Sequence, residues 1–163
     1  MTKEKKSDLE ELKKEYAKIQ KKYALPDFEK LNEDFQIEKI AESETDFLTR
    51  EIRRVMAEKF ANYLRFTETI LNPVNAPMFV FSIIKTMGAE EKKRLAEVYK
   101  KLAKIEISLI ELDVEFSEEK DARFIKEAYK SWQEIKGDVL KTLDAVKKNW
   151  DNKFEVNKKG YFG

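Results

Sequence analysis

The chain of 163 residues contains no cysteine and no histidine, and only four glycines and three prolines. Without cysteine there is no disulfide, no thiolate nucleophile and no sulfur-ligated metal. Without histidine there is no Ser-His or Cys-His pair, no HExxH zinc site and none of the Glu-x-x-His ligands of di-iron bundles. Neither GxGxxG nor GxxxxGK[ST] occurs, so the usual phosphate-cradling loops are missing as well. So few glycines and prolines cannot supply the turns of a small all-β fold, and the abundant Leu, Glu, Lys and Ala favour helix. Long hydrophobic runs are also lacking. The longest apolar stretch, residues 76–84, is interrupted by Pro77 and Ser82 and is too short to cross a bilayer, and residues 1–6 carry no apolar signal region. The expectation is a cytoplasmic protein with no membrane span, no enzymatic hardware of the common kinds and no cofactor.

What is present is charge. Lysine outnumbers arginine 27 to 6, glutamate outnumbers aspartate 23 to 9, and there are three glutamines. This usage resembles that of hyperthermophile proteins, which points to a thermophilic source, although long-helix proteins share it. The net charge of +1 argues against a uniformly basic nucleic-acid binder. The charges come in blocks, however. Residues 25–46 and 105–121 each carry a net of −6, whereas residues 85–104 carry +4 and residues 147–163 carry +3. Such blocks pair across packed helices or face solvent.

Apolar spacing divides the chain into helices. Leu9, Leu12, Tyr16, Ile19 and Tyr23 recur at intervals of three and four among charged neighbours, a coiled-coil-like seam of about two heptads. Pro26 stops that helix, and a short acidic segment, residues 28–35, follows. A second long helix starts where Ser43 with Asp46, or Thr45, can cap it, and it ends at Pro73 and Pro77. Residues 78–87 are the most apolar piece. A helix apolar all round belongs inside a bundle, so a buried central helix is expected there, with Gly88 as its C-terminal cap. Residues 105–116 alternate like a strand, yet Leu95, Val98, Leu102, Ile105, Leu109, Leu112 and Phe116 keep helical spacing, and no partner strand exists elsewhere. The spacing predicts helix. Ser117 caps a last helix in which Gly137 marks close packing.

The sequence therefore predicts an all-α, single-domain helical bundle of four or five helices over residues 1–152. The helices lie at 1–24, 45–72, 78–87, 89–116 and 118–152, the first projects or dimerises, and residues 153–163 form a flexible tail. Three groups are candidates for binding. Arg50, Arg53 and Arg54 share one helical turn and suit phosphate or an acidic partner, with internal pairing to the acidic 25–46 segment as the simpler use. Leu9, Leu12, Tyr16, Ile19 and Tyr23 form a partner-binding seam. Tyr161 and Phe162 form a recognition tail, an aromatic pair of the kind that anchors interfaces. The favoured function is a non-catalytic protein–protein interaction or scaffolding module whose partner is another protein or a second copy. The alternatives are binding of nucleic acid or a ribonucleoprotein through the arginines and lysine-rich termini, and a carboxylate–Mg²⁺ hydrolase built on Glu111, Glu115, Glu118 and Glu119 or on Glu134 with Asp138.

Overall fold

The computed structural model describes residues 3–42 and 45–159, with side-chain surroundings over 7–42 and 45–150. Ser43, Tyr161 and Phe162 lie outside the described residues. Among those described there is no strand. The order is α1 (Lys3–Tyr23), α2 (Phe28–Phe35), a 3-10 helix (Ile37–Glu42), α3 (Leu48–Leu71), α4 (Met78–Thr86), α5 (Ala89–Val114) and α6 (Glu118–Lys159). The count exceeds four or five because the acidic segment after Pro26 folds into two short helices. Phe28, Leu31 and Phe35, spaced by three and four, are buried on one face of α2, and Ile37 and Ile40 do the same for the 3-10 turn.

Two compact units are formed. The first comprises Met1–Ala61 with Ile105–Ser131, and the second comprises Asn62–Lys104 with Trp132–Gly163. In the first unit Tyr16, Leu31, Ile37, Ile52, Met56, Phe60 and Ile125 are almost wholly removed from water. In the second, Ile70, Ile83, Met87, Leu95 and Val146 cluster, with Phe66, Val80, Ile84 and Trp150 packed against them.

Local chemistry sets the helix ends. Ala24 closes α1 with a left-handed backbone, φ 53°, while the Leu25 amide donates to the Gln20 carbonyl at 3.2 Å, a Schellman-type closure. The Thr45 hydroxyl accepts from the Phe47 amide at 3.1 Å just before α3, which begins three residues later than the cap pattern suggests. Ser117 caps α6: its Oγ accepts the Lys120 amide at 3.4 Å.

Four expectations are corrected. Gly88 does not end α4, since Met87 is the extended cap there. Its amide instead donates to Glu91 Oε2 at 2.9 Å, half of a capping box that starts α5. Gly137 marks no close packing, because a Cβ added there meets nothing within 4 Å. Residues 153–159 continue α6 to Lys159, since no Gly or Pro interrupts them and propagation of an existing helix needs no new nucleus. Finally, α4 is not a buried central helix; its exposure is described below.

Candidate interaction surfaces

Arg50, Arg53 and Arg54 of α3 have three different fates, and among the described residues none of them pairs with the acidic 25–46 segment. Arg53 is buried in the first unit, with Nη1 2.6 Å from Asp113 Oδ1 and Nε 2.9 Å from Asp121 Oδ1. Asp121 is fully buried in the first turn of α6, where the helix dipole favours a carboxylate. Burial nevertheless raises its pKa above the ordinary aspartate value, against the lowering pull of Arg53 and then Arg50. Arg50 lies over the Phe116 ring, 3.6 Å from its centroid, and 5.3 Å from that of Phe47, and the two rings meet edge to face at 5.4 Å. Arg54 is exposed and pairs with Glu51 of its own helix at 3.1 Å. Spacings of three and four put all three on one side of α3 in sequence. Only the positions of Asp113 and Asp121, far along the chain, decide which one is drawn inside.

Of the acids proposed for a metal, all but Glu111 are engaged with bases among the described residues. Lys101 lies 3.0 Å from Glu134 and 3.7 Å from Asp138. Glu115 pairs with Lys120, Glu118 with Lys22, and Glu119 with Arg123. Among the described residues no three potential ligands gather as a metal site. Five other acids, Asp8, Glu11, Glu15, Glu42 and Asp46, line a groove of about 590 Å³ on the first unit, floored by Leu12, Ile40 and Leu48.

The seam of α1 turns inward over its centre. Leu12 and Tyr16 are buried, whereas Leu9, Ile19 and Tyr23 are half-buried. The Tyr16 hydroxyl donates to the Pro26 carbonyl at 2.6 Å, and its ring meets Phe28 edge to face at 5.3 Å.

Exposed apolar surface lies elsewhere. In the second unit Val74 is 74 % exposed, Met78 79 % and Phe79 65 %, with Leu71 and Phe81 also open to water. Helix α4 buries Ile83 and Thr86 and half-covers Val80, Ser82 and Ile84, so one side of the most apolar segment faces solvent. In the first unit α5 carries a second stripe: Ile107 is 60 % exposed, Ile110 58 % and Val114 85 %. The strand-like alternation of residues 105–116 is thereby explained. Ile105, Leu109 and Leu112 form the inward helical face, Ile107, Ile110 and Val114 form an outward one, and the two interleave in sequence. The spacing of the outward stripe was readable in the sequence; its exposure was not.

No family model, curated protein or solved structure matches the chain.

The surfaces above therefore have to be weighed by their own chemistry. Isolated exposed apolar residues are ordinary, but contiguous ones on a short helix mark a docking surface or an aggregation hazard.

Proposed function

We propose that this chain is a non-catalytic helical interaction module that binds another protein through the apolar surface at the α3–α4 turn and the outer face of α4. The observation that carries this reading is the exposure of Val74, Met78 and Phe79 on a segment with a single charge, Lys85. Methionine and phenylalanine suit such a role. The thioether adapts to irregular partners, and an aromatic ring brings a large apolar area with few rotatable bonds. Val80, Ile84 and Trp150 support the surface from beneath, and Phe79 meets the Trp150 ring at 6.0 Å between centroids.

The double variant Met78→Ser with Phe79→Asp tests it. The expected result is unchanged melting together with loss of the protein that copurifies with the tagged wild-type chain from its source. Copurification of the same protein with both chains overturns the assignment of the surface. Concentration-dependent doubling of mass in light scattering, abolished by the variant, identifies the partner as a second copy. No observation favours the arginines as a common nucleic-acid surface, since Arg53 is buried and Arg50 and Arg54 are each engaged with neighbouring side chains.

A further inference from the structure

The outward stripe of α5 calls for an occupant that the surface at α4 does not explain. Ile107, Ile110 and Val114 follow one another at steps of three and four along two helical turns, about 10 Å of helix. That is the a/d rhythm with which one helix receives another. Each of the three is more exposed than covered, so the fold makes little use of them.

The borders of the stripe narrow the choice of partner. At 100° per residue, Glu106 and Glu111 fall roughly 70° to either side of the stripe's centre, the positions that flank a coiled-coil seam. From residue 105 to residue 119 there are six acids and no base. Four of the six are already committed: Asp113 to Arg53, Glu115 to Lys120, Glu118 to Lys22 and Glu119 to Arg123. Glu106 and Glu111 have no ion-pair partner among the described residues, and they are the two that border the stripe. An aliphatic seam edged on both sides by uncommitted carboxylates is complementary to an aliphatic seam edged by Lys or Arg. A second copy of α5 fits less well, because it would set one block of net −6 against another.

We infer that the α5 stripe docks a basic amphipathic helix of another protein, with Ile107, Ile110 and Val114 in its apolar seam and Glu106 and Glu111 paired to its flanking cations. This extends the interaction-module reading to an independent surface, so the two can fail separately.

The probe is a synthetic three-heptad peptide with Leu at a and d and Lys at e and g. Its comparisons are the same peptide with Glu at e and g, and a charge-matched scramble that cannot form the seam. Binding to the full-length chain is followed by fluorescence anisotropy at low and high salt. The basic peptide is expected to bind at least about tenfold more tightly than either comparison, and more weakly as salt rises. Ile110→Ser is expected to weaken it about tenfold or more with melting unchanged, as loss of a central anchor does. Glu106→Gln with Glu111→Gln should weaken it several-fold and flatten the salt dependence. The Met78→Ser, Phe79→Asp variant should bind it like wild type, which separates this surface from that of α4. Equal binding of basic and scrambled peptides, equal binding to wild type and Ile110→Ser, or no binding overturns the inference. So does self-association abolished by Ile110→Ser, which would make the occupant a second copy.

Discussion

Helix α1 is studded with charge and buries the middle of its apolar seam, whereas α4 carries one charge and leaves Met78, Phe79 and Phe81 exposed to water. The contrast runs against composition. What α1 has and α4 lacks is a covering segment of the right length: the 3-10 helix and α2 lie against α1, and Pro26 and Phe28 receive Tyr16. Helix α4 is held on one side, by Ile83, Thr86 and the adjoining Met87 with Val80 and Ile84 packed beside them, and Met78, Phe79 and Phe81 on its other side stay exposed. Burial follows from complementary partners along the chain, and an apolar helix without them becomes a surface.

The contrast can be sharpened by comparing an aromatic from each helix. Tyr16→Ala should cost about 3–5 kcal/mol in chemical denaturation, since a fully buried ring leaves a cavity. Phe79→Ala should cost under about 1 kcal/mol, from the partial loss of its contact with Trp150. Equal losses would show that α4 is covered in solution. The pH dependence provides a second check. Burial first, and then the Asp27 charge and Tyr129, raise the Tyr16 pKa above the ordinary 10.0. A group whose pKa is raised on folding stabilises fully below its unfolded value and loses that contribution as pH climbs past it. Stability should therefore fall above about pH 10, and Tyr16→Phe should remove that part of the fall while costing about 1 kcal/mol at neutral pH for the hydrogen bond to Pro26.

A charged group taken inside the first unit should behave like Tyr16. Arg53→Met leaves Asp121 buried without its cation, and a loss of about 3–5 kcal/mol is expected. Asp121→Asn should cost less, because burial already disfavours the ionised form and Arg53 keeps Asp113. An NMR titration of Asp121 in Arg53→Met should show its pKa rising further, since the largest lowering influence has gone. If Arg53→Met proves neutral, the ion pair is not formed in solution and Arg53 belongs with the exposed arginines.

The smallest effect is expected at an open position of α6. Gly137→Ala introduces a Cβ that meets nothing within 4 Å, so the better helix propensity of alanine should appear undiluted as about 1 kcal/mol of added stability. A loss of stability would place an atom of the folded chain beside Gly137.

Much of the architecture was readable along the chain because its causes are local. Proline at 26, 73 and 77 ends or restarts helices by restricting φ and removing a donor, and Ser117 caps α6 through its own hydroxyl. The residues that share a face of α5 follow from spacing, and of the 105–116 stretch residues 105–114 are helical as that spacing predicts, while Glu115 and Phe116 lie beyond the end of the helix. Gly88 was misread because a glycine after one helix and before the next satisfies either neighbour, and only the Glu91 carboxylate over its amide decides between them.

By itself the sequence determined the all-α class, the positions of the helices and which residues share a face, since these depend on backbone geometry and neighbours within a few residues. Tertiary structure alone decided which of those faces are covered. Arg53 was selected over Arg50 and Arg54 by aspartates 60 and 68 residues away, Tyr16 was enclosed by the turn after its own helix, and Ile107, Ile110 and Val114 were left outside. Two interleaved stripes on one helix are equally apolar in sequence. Which becomes core and which becomes surface is settled by the segments that fold against the helix, and spacing carries no record of them.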